Sequence, residues 1–113
     1  MYKISFSLIF FLFIITSCEY ENAGINAIER PVSYSGDIAP LLIRKCAVTG
    51  CHVAQATIGN FNVYPEIKLR IDNGKFQLMV FEHRLMPPAT HPSLSELELT
   101  RMKKWIDGGA LQN

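Results

Sequence analysis

A chain of 113 residues, with 49% hydrophobic side chains and 11 Lys/Arg against 10 Asp/Glu, has room for one small domain and not for two. Its formal net charge of +1 excludes the basic excess that marks nucleic-acid binders, and no acidic block marks a disordered tail. Three cysteines are an odd number, so at least one needs an account apart from any pair.

Residues 1–17 read as a secretory signal. Met1-Tyr2-Lys3 supplies a positive charge, and the run from Ile4 to Ile15 is apolar except for Ser5 and Ser7. That run is too short to span a bilayer comfortably as a helix. It ends in Ile15-Thr16-Ser17-Cys18, which resembles the lipobox of bacterial lipoproteins, where the cysteine is lipidated and becomes the mature N-terminus. The competing reading is an ordinary cleaved signal with a free thiol nearby; the odd cysteine count favours lipid on Cys18. The expected product is exported and lipid-anchored to a bacterial membrane, facing the periplasm or the cell exterior. Export also puts the remaining pair, Cys46 and Cys51, in an oxidising compartment.

Residues 18–34 lack periodicity, contain Pro31 and read as a flexible tether, leaving 35–113 as the folded domain. Ser35 is expected to cap a helix starting near Gly36-Asp37, with Asp37 favoured by the dipole and Pro40 tolerated in the first turn. Ile38, Leu41, Leu42 and Cys46 then share one face, which delivers Cys46 to the buried side. Gly59-Asn60 marks a loop. Pro65 opens a second helix at its N1 position, Ile67, Leu69 and Ile71 supply its apolar residues, and Asn73-Gly74 ends it. Lys75 to Glu82 is apolar and undecided between a short helix and an extended segment. Pro87, Pro88 and Pro92 make 86–91 a stiff loop. Ser95 with Glu98 forms a capping box, after which Leu99, Met102, Trp105 and Ile106 make one stripe and Gly108-Gly109 terminates the helix. Three or more short helices and no strand pattern predict an all-α domain.

The chemistry concentrates in Cys46-Ala47-Val48-Thr49-Gly50-Cys51-His52. A pair of thiols followed at once by a histidine is the pattern of covalent haem attachment, here with a wider spacer than the usual C-x-x-C-H. The thiols reach two vinyl groups on one porphyrin edge, and the adjoining imidazole reaches the iron. The longer spacer must loop outward, which Gly50 permits. The second axial ligand comes from elsewhere, and Met86, before Pro87-Pro88, is the best candidate; thioether ligation opposite histidine raises the reduction potential. His83 and His91 compete with it and would give a lower potential. Met79 and Met102 read as core fillers. Trp105, Tyr64 and Phe61 are each divided between core and cofactor-pocket wall.

These features together resemble a class I-like monohaem cytochrome c, and in particular the single-domain, Bacteroidetes-type cytochrome c lipoproteins that carry a CxxxxCH site. The matching segments are Tyr34 to Pro40, the cysteine–histidine site, Ile71-Asp72-Asn73-Gly74, Met86-Pro87-Pro88 and Trp105 to Ala110, covering roughly residues 33 to 111. The resemblance implies a cytochrome c-like fold and one covalent haem c, with thioether bonds at Cys46 and Cys51, proximal ligation by His52 and distal ligation by Met86. It implies electron transfer with redox protein partners, a membrane reached through the N-terminal lipid, and no nucleic acid.

Other readings stay open. If Met86 does not ligate, an open axial position suits a haem sensor or a weak peroxidase. A non-haem interaction module is a further alternative, stapled by a Cys46–Cys51 disulfide or by zinc on Cys46, Cys51 and two of His52, His83 and His91. The disulfide leaves His52 unexplained, and His83 and His91 lack the tight spacing of a second zinc pair. No nucleophile–base–orienter set is present, so the chain reads as an electron carrier and not an enzyme.

Overall fold

The computed structural model describes residues 29–113, and all regular structure among them is helical. The predicted signal segment, Cys18 and most of the predicted tether lie outside the described residues. Helix α1 begins as a π-helical turn, Tyr34–Ile38, and continues as an α-helix over Ala39–Lys45. Helix α2 spans Tyr64–Asp72. Helix α3 starts as an α-helical turn, Lys75–Gln77, and passes into a π-helical turn, Leu78–Glu82. Helix α4, the longest among the described residues, is Glu96–Asp107. No strand forms among the described residues, in keeping with an all-α domain.

Helix α1 starts earlier than the sequence suggested. Ser33, not Ser35, caps α1: its hydroxyl accepts the Gly36 N–H at 3.0 Å. The Asp37 carboxylate reaches back to the Ser33 N–H at 3.0 Å and pairs with Arg30. Val32 packs on the core and Tyr34 is buried. A cap two residues upstream wins because it gives both the hydroxyl and the carboxylate of the first turn a backbone partner.

The remainder of α1 follows its pattern, with Ile38, Leu41, Leu42 and Cys46 all buried. In α2, Val63 is the N-cap, so Pro65 falls one position later than N1; Ile67 and Ile71, four apart, are buried, while Leu69 is 59% exposed. Asn73 and Gly74, at φ 77°, turn the chain into α3. The ambiguous segment after Gly74 is helical, burying Phe76 and Val80. Helix α4 carries the expected capping box, with Glu98 N–H to Ser95 Oγ at 3.2 Å and Ser95 N–H to Glu98 Oε2 at 2.8 Å.

Helix α4 packs across the start of α1, where the Trp105 and Tyr34 rings stack with centroids 5.5 Å apart. Tyr64 meets Tyr34 edge-on, with centroids 5.1 Å apart. The Tyr64 hydroxyl donates to the Ala110 carbonyl and the Trp105 indole N–H to the Leu111 carbonyl, both at 2.8 Å. Each polar tip of this aromatic group thus finds a local acceptor, as buried Tyr and Trp require. The result is a structural knot at one end of the domain, with the cysteine–histidine loop at the other.

Candidate functional site

Helix α1 ends at Cys46, whose N–H still bonds the Leu42 carbonyl at 2.8 Å. The chain then turns outward. Cys51 N–H donates to Val48 O at 2.9 Å, and His52 N–H returns to the Cys46 carbonyl at 3.2 Å. The wide spacer is thereby closed into a small loop that keeps both cysteines and the histidine together. Thr49 and Gly50 are exposed at its tip; Gly50 has φ 83° and open space around its α-carbon, so the extra residues bulge into solvent.

His52 is held on three sides. Its Nδ1 lies 3.2 Å from the Gly59 carbonyl oxygen. Its ring stacks on Phe61 with centroids 3.8 Å apart and planes 10° from parallel. Its own carbonyl accepts the Phe61 N–H at 2.9 Å. A carbonyl only accepts, so the proton of neutral His52 sits on Nδ1 and the lone pair is on Nε2. Burial lowers the His52 pKa, against hydrogen bonds to the Gly59 and Ile58 carbonyls, and Arg70 lowers it further. The neutral, ligating form is therefore favoured. Gly59 makes this possible: its φ is 102°, and a Cβ there would lie 3.3 Å from Arg70 Nε.

Cys46 and Cys51 are both free thiols, the first buried and the second half-buried. Burial pushes the Cys46 thiol up to about 12, with nearby Cys51 adding to the effect.

Beside this loop opens a cavity of about 420 Å³. Cys46, Cys51, His52 and Met86 all line it, so the residues singled out in the sequence meet around one space. His91 and Phe61 line it as well, whereas His83 is exposed and outside it, and Tyr64 and Trp105 belong to the aromatic knot. Phe76, Val80 and Met79 from α3 supply apolar wall. Met79, expected in the core alongside Met102, is instead half-buried at the cavity, while Met102 is fully buried. Among the described residues, Lys45, Arg70 and Lys75 are the charged ones in the lining, and no carboxylate joins them. Arg70 and Lys75 were not singled out in the sequence, and a helix carrying cations looks there like any solvated face.

The loop bearing Met86 and His91 is fastened at both ends. The Leu85 and Met86 N–H groups both donate to the Met79 carbonyl, at 3.0 and 3.2 Å. Lys45 Nζ donates to the Ser93 carbonyl at 2.9 Å and lies 3.7 Å from Glu98. The segment with the candidate distal ligands is thus tied to α3 and to the end of the helix that carries Cys46.

A tetrahedral zinc set does not form: among the described residues no three His, Cys, Asp or Glu side chains gather to hold a metal ion. A porphyrin-bound iron has no need of such a cluster, since the macrocycle supplies its equatorial nitrogens. Also among the described residues, no helix is long and apolar enough to cross a membrane. Comparison with family models, curated proteins and solved structures gives no match, so the functional reading rests on the residues of this chain and their geometry.

Proposed function

We propose that the protein is a monohaem c-type cytochrome of cytochrome c-like fold, an electron carrier tethered to a membrane by lipid on Cys18. The observation that carries this reading is the convergence of Cys46, Cys51, His52 and Met86 on one cavity. Cys46 and Cys51 would hold the haem by thioether bonds, and His52 and Met86 would supply its iron ligands. When bound, the haem supplies one-electron chemistry between ferric and ferrous iron.

The chain's own part is to hold, shield and tune. The Gly59 carbonyl fixes the tautomer of His52 and makes its Nε2 a better donor, and Phe61 fixes the plane of the ring. Phe61, Phe76 and Val80 give the apolar wall that keeps water from a planar macrocycle. Lys45, Arg70 and Lys75, with no opposing carboxylate in the lining, suit a ligand that is apolar over its faces and anionic at an edge, as a haem with its propionates is. Besides His52, the same lining offers the Met86 and Met79 thioethers and His91, a surplus of iron ligands that favours a carrier over a peroxidase.

Intact mass under denaturing conditions, on protein recovered from membranes, tests both attachments. The expected chain begins at Cys18 and carries one haem and a lipid modification. A chain of bare polypeptide mass would refute the haem, and one lacking the lipid increment would refute anchoring at Cys18.

A further inference from the structure

The loop after Met86 brings a second nitrogen donor to the same cavity. Pro88 to His91 closes on itself, with the His91 N–H donating to the Pro88 carbonyl at 2.9 Å, and this turn returns the histidine to the cavity wall next to Met86, Pro87 and Pro88. His91 is half-buried there, unlike His83, which is exposed and faces elsewhere. Its Nδ1 lies 3.1 Å from Thr90 Oγ1, and its Nε2 makes no hydrogen bond among the described residues. That is the disposition of His52, whose Nδ1 is engaged by Gly59. The Gly59 carbonyl fixes the proton of His52 on Nδ1, whereas the Thr90 hydroxyl can donate or accept; in both rings Nδ1 is the engaged nitrogen and Nε2 the one open to a metal.

Building on the haem reading, we propose that His91 is a reserve axial ligand, which takes the iron when the Met86 thioether is lost. A methionine ligand is vulnerable because a peroxide can transfer one oxygen atom to its thioether, breaking the O–O bond and leaving water or an alcohol, and so turn it into a polar sulfoxide. With His91 in reserve, the damaged protein keeps a six-coordinate iron at a lower potential instead of opening a site for peroxide. Met79 is the rival: it lines the same cavity, and its carbonyl accepts the Met86 N–H. Lys45 is also within the lining, but its Nζ is engaged by the Ser93 carbonyl and lies 3.7 Å from Glu98.

The test uses the holoprotein at neutral pH, as wild type, Met86→Leu, Met86→Leu/His91→Ala and His91→Ala. Leucine conserves volume, so the cavity wall keeps its packing. A denaturing alkaline pyridine spectrum is taken first on every sample; absence of haem in the wild type refutes the function proposed above and the ligand exchange with it, whereas the outcomes below, read with haem present, bear on the ligand exchange alone. With haem present, Met86→Leu is expected to lose the sulfur-to-iron charge-transfer band yet remain low-spin, with a near-infrared band of bis-nitrogen ligation. The double variant is expected to be high-spin and, once reduced, to take up carbon monoxide at least about tenfold faster, the loss of a single ligand of about 1.4 kcal/mol or more. His91→Ala alone should retain the wild-type spectrum. A Met86→Leu protein that is already high-spin, or that binds carbon monoxide at the rate of the double variant, would overturn the proposal. So would a persistent sulfur band, which assigns the role to Met79, and so would a low-spin spectrum that survives removal of His91.

Discussion

At the scale of single residues, the site depends on a glycine as much as on its ligands. Gly59 sits at φ 102°, presents its carbonyl to His52 and lets Arg70 pass at close range. Gly59→Ala adds strain of about 1–3 kcal/mol from the backbone angle and forces Arg70 to shift. We expect a loss of more than about 1 kcal/mol by thermal or urea denaturation and, on the proposed haem reading, a raised reduction potential, because a histidine without its Nδ1 acceptor is a weaker donor. An unchanged denaturation midpoint and an unchanged potential would show that the Gly59 carbonyl does not orient the ring. The sequence pointed to Cys46, Cys51 and His52 because their spacing is local and chemical. It did not point to the Gly59 carbonyl, since a backbone acceptor leaves no side-chain signature, nor did it separate His91 from His83. Those two histidines differ only in the turn that folds one back on the cavity and leaves the other in solvent.

At the scale of elements, the helices announced themselves where period and caps agreed. The capping box of α4 and its Leu99, Met102 and Trp105 stripe were legible because two independent signals coincide. The start of α1 was misread by two residues, because Ser33 and Ser35 are equally good caps in isolation. What decides between them is Asp37, whose side chain is only 3% exposed and is held by Arg30 and the Ser33 N–H. The hydrogen bond from Arg30, above all, holds the Asp37 carboxyl below its usual range, with the Ser33 N–H and the charges of Arg30 and Arg101 acting the same way against its burial. A carboxylate depressed in the folded state binds fewer protons folded than unfolded, so its stabilisation is complete above the unfolded pKa of about 3.9 and fades as pH falls through the lower folded value. Asp37→Asn should therefore lower stability at neutral pH and flatten the stability profile below about pH 4. Denaturant midpoints followed from pH 7 to pH 2 check this; parallel profiles for variant and wild type would show that the Arg30–Asp37 clasp contributes nothing. The segment 75–82 stayed undecided in the sequence because its apolar residues fit either period, and packing of Phe76 and Val80 against the core settles it as helix.

At the scale of the whole molecule, the core and the cavity share their residues. Cys46, Phe61, Phe76 and Val80 belong to the hydrophobic core and also line the cavity, so a planar apolar occupant continues the core instead of lying beside it. A chain this small buries a limited core on its own, and small domains commonly complete theirs with a disulfide, a metal or a cofactor. The aromatic knot of Tyr34, Tyr64 and Trp105 closes one end, while the loop from Cys46 to His52 and the fastened loop from Met86 to Ser93 face each other at the other. That division was partly visible beforehand: the all-α character and the Cys–His site were, but the role of Trp105 was not, since a tryptophan on an apolar stripe serves core and cofactor alike. The most direct test of the central claim is the absorption spectrum of the reduced, exported protein denatured in alkaline pyridine, for wild type and for Cys46→Ala and Cys51→Ala. The account predicts a haem that stays with the wild-type chain through denaturation and acid–acetone extraction, with the spectrum of two saturated vinyl groups, shifting in each single variant to that of one. A colourless wild-type protein, or haem extracted intact from it, would contradict the account.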